Sequence, residues 1–221
     1  MTRKLIFLVV ILALAVPGGR SQVLWTVNLN AGAPVNIPVP LHISQSGHPD
    51  ISLLARWSSD PFMLPFYWMW RIGRINNDRG WEFEAIHHKL ILENRPPEVS
   101  EFRITHGFNL LFVNRSYHDR WLNWRYGAGV ILAHPENRVR EQQLNEQLGL
   151  FNRGYYISGP ALNVSVNRPF YPSRLFFANL ELKATAGVAF VPVHAGRATV
   201  GHLSVHLIAG LGYGFLVGTK N

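Results

Sequence analysis

The sequence predicts an all-β protein: a closed antiparallel transmembrane β-barrel of about eight strands, preceded by a cleaved signal peptide. Three observations lead there. An apolar run behind Arg3 and Lys4 opens the chain, long stretches downstream alternate apolar with polar residues, and charge is scarce. Charged residues make up 15% of the chain, against roughly 25% in ordinary soluble domains. Hydrophobic content stays ordinary at 48%, so the chain lacks charge without being rich in core-forming runs.

The first element is the leader. Leu5 to Val16 is unbroken apolar sequence, Pro17, Gly18 and Gly19 interrupt it, and Gly19-Arg20-Ser21 offers a small-x-small cleavage site before Gln22. That pattern reads as a signal peptide over residues 1–21. The run falls short of the about 20 apolar residues that a spanning helix needs. No cysteine occurs anywhere, which excludes a lipoprotein, a disulfide framework and a thiolate metal site. Loss of Arg3, Lys4 and Arg20 would lower the formal charge from +8 to +5. In an exported protein a basic balance points to anionic lipid or lipopolysaccharide rather than nucleic acid.

Residues 22–50 come next. Trp25–Asn30 alternates, but Pro34, Pro38 and Pro40 each lack a ladder N–H, which makes them poor central-strand residues. The segment is expected to be extended, as a periplasmic or lumen-plug stretch; pairing of 25–31 with 37–44 would instead give ten strands. The barrel is assigned to residues 51–221. Its strands are expected over 51–58, 65–75, 81–92, 101–114, 121–133, 155–167, 175–191 and 199–217, from period-2 alternation. Phe66, Trp68, Trp70 and Ile72 share one face, opposite Tyr67, Met69 and Arg71. Phe102, Ile104, Phe108, Leu110 and Phe112 oppose Arg103, Thr105 and Asn109. Strand length and the small residues of the polar face put the apolar sets outside, towards lipid, and the polar sets in the lumen. The short connections at 76–80 and 168–173 belong in the periplasm, and the long one at 134–153, with a brief helix near 139–148, belongs outside.

This pattern resembles the small eight-stranded outer-membrane proteins: the OmpA-type transmembrane domain, the OmpW group and the lipid A-modifying barrels. The stretches Gly80–Leu90 and Arg103–Asn109 resemble uncharacterised members of that class. The resemblance implies the bacterial outer membrane as location. It implies outer-membrane lipids, lipopolysaccharide and the assembly machinery as partners, with no nucleic acid and no cofactor, and it brings no activity with it.

On the polar face the charged residues are Arg56, Arg71, Glu82, Glu84, Arg103, Arg125, Glu181 and Lys183. In a narrow lumen they must pair, because a lone buried charge costs several kcal/mol, roughly. An interlocking network is expected rather than a pore, since eight strands leave just enough room for side chains. His87, His88 and His106 lie near one another in the strand pattern, but alternation turns His87 away from His88, so no metal site is expected. His202 and Ser204 share a face, and outer-membrane lipid A deacylases resemble this pairing. No carboxylate sits at a telling spacing, so they are weak candidates for nucleophilic chemistry. The expected role is therefore non-enzymatic, with surface loops that contact the environment or lipopolysaccharide. A lipid-modifying hydrolase or acyltransferase and a small-solute pore stand as alternatives.

Overall fold

The computed structural model describes residues 21–145, 148–173 and 175–219. The expected signal peptide, Ser21 apart, lies outside the described residues. Those residues contain no helix and thirteen strands. They are β1 (Ser21–Asn36), β2 (Val39–Gln45), β3 (Ile51–Ala55), β4 (Trp57–Ser58), β5 (Trp68–Asn76), β6 (Arg79–Leu92) and β7 (Val99–His118). There follow β8 (Asn123–Ala133), β9 (Glu136–Val139), β10 (Gln142–Gln143), β11 (Tyr156–Phe170), β12 (Phe176–Val193) and β13 (Gly196–Thr219).

Eight of them close a ring in the order β1, β5, β6, β7, β8, β11, β12, β13 and back to β1, every neighbour antiparallel. Closure leaves no edge, which lipid would not tolerate. The paired register from Glu84 through β7, β8, β11 and β12 reaches His202 on β13. Followed the other way, through β5 and β1, it reaches Gly212. The wall is therefore staggered by ten residues, so the strands tilt.

The strand count agrees with the sequence expectation, but the first strand differs. Ser21–Asn36, expected as a periplasmic or plug segment, is a wall strand held by β13 on one side and β5 on the other. Pro34 is tolerated because β5 pairs only with 24–30, so at Pro34 the strand has β13 alone beside it. Residues 51–58 do not enter the ring; they form β3 and β4 above it. Nor is the wall ten-stranded, since β2 pairs with the upper end of β13 and with β3. Where a brief helix was expected near 139–148, residues 139–143 make a tight turn at Arg140 and Glu141, both at positive φ, between β9 and β10; residues 146–147 lie outside the described residues.

Short connections at 77–78, 119–122 and 171–175 gather at one end with both ends of the described chain, which marks that end as periplasmic. The opposite end extends upward. There β2, β3, β4, β9 and β10 add to the wall and continue the sheet beyond the belt.

Side-chain polarity divides the barrel into two zones. In the membrane zone the outward residues are apolar, as at Leu29, Leu162, Leu180, Leu182, Leu207 and Leu211. Trp81, Trp124, Tyr126, Phe176 and Tyr213 gather towards its periplasmic end, as an interfacial girdle requires. In the extension the faces reverse. Phe102, Ile104 and Phe108 on β7 point inward and pack with Leu41, Ile43 and Leu90, all buried, and Leu110 and Phe112 continue the same inner face down to the level of Glu84. The expectation that the apolar face of β7 meets lipid is thus corrected: above the membrane, water is outside and the interior must be the dry side.

Candidate functional site

Inside the membrane zone, six of the eight sequence-nominated charges come together. Arg71 from β5 donates from Nε to Glu84 at 2.8 Å and from Nη2 to Glu181 at 2.8 Å. Lys183 reaches Glu84 at 2.6 Å and Glu181 at 3.3 Å. Arg125 donates to Glu82 at 2.5 Å. Cross-strand register explains the meeting: Arg71 lies directly opposite Glu84, and Gly73 opposite Glu82. Three cations face three carboxylates, so the cluster is neutral, and each member is buried.

An asparagine shell surrounds it. Asn114 donates to Glu84 at 3.4 Å and accepts from Asn163 at 2.8 Å, while Asn179 bridges Asn30 and Asn167. Gly127 makes this possible: a Cβ there would sit 1.9 Å from the Asn114 Oδ1. The sequence signal for the shell was the recurrence of asparagine on the polar face, and only its pairing across strands gives it meaning.

Arg56 and Arg103 do not join. Arg56 lies exposed between β3 and β4, outside the ring. Arg103 is on the extension, where outward means solvent, and it pairs with Glu101. Both were assigned to the lumen on the premise that polar faces inward at every height.

Above the charges lies a histidine layer. Thr185 Oγ1 is 2.8 Å from Nε2 of both His202 and His206, and Tyr67 OH is 3.1 Å from His206 Nδ1. His88 Nε2 is 3.1 Å from Asn36 Oδ1, and its ring lies 5.3 Å from that of His202. Ser204 donates to Asn36 as well. The Ser204 hydroxyl and the His202 ring therefore have separate partners, Asn36 and Thr185, and neither partner is a carboxylate. The other two nominated histidines lie elsewhere. His87 faces outward, stacked on Trp68 with 5.4 Å between centroids, and its Nδ1 is 2.9 Å from Asn109 Oδ1. His106 sits on the extension beside Glu136, with Nδ1 2.5 Å from Oε1. No group of three metal-ligating side chains is found among the described residues.

That Glu136 stands at the start of the long loop. Thr105 donates to it at 2.7 Å, and the His106 backbone N–H at 3.3 Å. Burial pushes its carboxyl up, but the hydrogen bonds from His106 and Thr105 prevail and hold it below the ordinary carboxylate range. The contact ties the start of the 134–155 connection to the outer face of β7.

No protein-family model matches the chain, and no curated protein does. Among the solved structures it resembles are small outer-membrane proteins. OprG of Pseudomonas aeruginosa is 11% identical, with 88% of this chain and 96% of that one covered, at a TM-score of 0.47. Ail of Yersinia pestis, solved with the heparin analogue sucrose octasulfate, is 8% identical over 89% of this chain and all of its own, at 0.40. Neisserial surface protein A is 11% identical over 90% of this chain and all of its own, also at 0.40. The chain's own closed wall, apolar outer belt, aromatic girdle and short-turn end make it a small β-barrel of the outer-membrane type.

Proposed function

We propose that this barrel is a non-conducting, non-enzymatic outer-membrane protein whose function resides in its extracellular extension, which contacts the environment or the lipopolysaccharide layer. The observation that carries the reading is the burial of the lumen. Arg71, Glu84, Glu181 and Lys183 are all at most 1% exposed, and above them lie a buried, hydrogen-bonded histidine layer and then apolar packing. A conducting lumen would keep its charges wet. The extension has an apolar core of its own, with Phe102, Ile104, Leu41 and Ile43 buried. On its outer face a groove of about 580 Å³ collects Arg95, Arg103 and Arg138 beside Glu93 and Glu101, chemistry suited to phosphorylated sugar.

The test has two parts. Purified protein in planar bilayers should be silent; stepwise conductance refutes the sealed lumen. Lipopolysaccharide should co-purify with the wild type and be depleted several-fold by the combined change Arg95→Gln, Arg103→Gln and Arg138→Gln. Equal retention by that variant removes the groove as the contact.

A further inference from the structure

A second feature lies at the opposite end, on the outer wall. Strand register places Trp25 opposite Arg74, Arg74 opposite Trp81, Trp81 opposite Arg115 and Arg115 opposite Tyr126. Inward and outward residues alternate on every one of these strands, so all five point out. The result is a row of alternating aromatic rings and guanidinium groups across five adjacent strands, just above the periplasmic turns. One pleat lower, Arg79 lies opposite Tyr117 and Tyr117 opposite Trp124. The guanidinium of Arg115 sits 5.2 Å from the centre of Trp81 and 5.8 Å from that of Tyr117, and Arg79 is 5.7 Å from Tyr117.

Two concavities meet at this row. A cleft of about 450 Å³ is lined by Arg74, Arg79 and Arg115 together with Trp81, and Asp78 is the one carboxylate lining it. Arg115 donates to the Gly80 carbonyl at 3.2 Å, which fixes the guanidinium at the cleft's edge. Trp81 and Arg115 also line a second, mostly apolar groove of about 750 Å³ that runs towards the membrane centre. Its floor is Ala128, a small outward residue set between Val113 and Leu162, which stand opposite it on either side. The combination is a cationic cleft at headgroup depth opening into an apolar trough at acyl-chain depth.

We infer that this face binds one anionic phospholipid of the periplasmic leaflet, its phosphate in the Arg74, Arg79 and Arg115 cleft and an acyl chain along the Ala128 trough. Arginine suits the phosphate because its planar fork can donate two parallel hydrogen bonds. Three cations against one carboxylate select an anionic over a zwitterionic headgroup. Ring stacking holds Arg79 and Arg115 in place before the lipid arrives, which lowers the ordering cost of binding. The site rests on the membrane reading of the outer belt and is independent of what the extracellular extension touches. Conductance or loss of lipopolysaccharide contact would leave it standing.

The full chain, purified in detergent, is titrated with phosphatidylglycerol and read by native mass spectrometry. One adduct is expected, preferred over phosphatidylcholine. Each arginine removed should weaken it about fivefold, so Arg74→Gln with Arg115→Gln should weaken it about 25-fold. Ala128→Phe should weaken it too by filling the trough, and each variant's heat-dependent gel shift reports that it is folded. Arg56→Gln with Arg153→Gln, the latter exposed in the connection between β10 and β11, changes the net charge equally at the far rim and should leave the adduct intact. Wild-type binding by the Arg74/Arg115 variant overturns the site. So does an equal loss in the Arg56/Arg153 variant, or displacement of the lipid by millimolar inorganic phosphate.

Discussion

The membrane zone and the extracellular extension share strands, pleat and register, yet their polarity is opposite. On β7, Asn114 and Ser116 face the polar lumen, while Phe102 and Ile104, on the same face of the same strand, form a dry core. On β13, Leu207 faces lipid outside the inward His206 and Ile208, whereas Thr199 flanks the buried Ala198 and Val200. The strand does not set which side is polar; the solvent at that height does. In lipid, polar groups must be collected inside and satisfied by one another. In water, the same enclosed volume is best filled with hydrocarbon. The histidine layer of His88, His202 and His206 sits where the two regimes meet, with polar partners around it and Phe108 against it.

The sharpest way to break the contrast is to unbalance the polar zone. Glu84→Ala removes one of the two carboxylates that Arg71 and Lys183 share, leaving three buried cations against two carboxylates, and should cost about 3–5 kcal/mol. Urea unfolding of the barrel, followed by loss of its heat-dependent gel shift, measures this. A loss under about 1 kcal/mol would mean that water enters the lumen and compensates.

A matched pair of substitutions then tests the outside. Leu207→Arg and Leu54→Arg alter residues of 57% and 61% exposure, the first on the membrane wall and the second on β3 of the extension. The first should cost about 2–4 kcal/mol at mid-membrane depth. The second should stay within about 0.5 kcal/mol, as an ordinary surface change. Equal costs would put the belt in the wrong place.

The smallest effect concerns the tether of the long loop. The Glu136 carboxyl is held below its unfolded value, so the stability it contributes is present above that value, about 4.3. It is lost as pH falls through the folded value. Protease protection of 134–155 in intact barrels should therefore hold from neutral pH to about 5 and loosen below about 4. Glu136→Gln should loosen it at neutral pH and flatten the dependence. A wild-type profile flat to low pH would assign the loop's order to other contacts.

Much of the architecture was legible because period-2 alternation survives any tertiary context. Leu203, Val205, Leu207 and Leu211 mark one face of β13 whether or not the barrel is known. The need for Arg71, Arg125 and Lys183 to pair with Glu82, Glu84 and Glu181 in a narrow space was legible in the sequence, but the neutral balance was not, since only the structure removes Arg56 and Arg103 from the lumen. The first wall strand was less legible because prolines argued against it. Only the tertiary pairing reveals that Pro34 has a neighbour on one side alone. The arginine and aromatic row on the outer wall was hidden for a different reason: Trp25, Arg74, Trp81, Arg115 and Tyr126 are scattered over a hundred residues and meet only through register.

By itself, then, the sequence determined a two-faced, all-β chain with few charges and with turns fit to close a barrel, because alternation and composition are local properties. The tertiary structure decided which strand closes the ring, which face looks inward at each height, and which residues from distant strands share a site. Those depend on register and on the surrounding medium, and one strand's own residues carry neither.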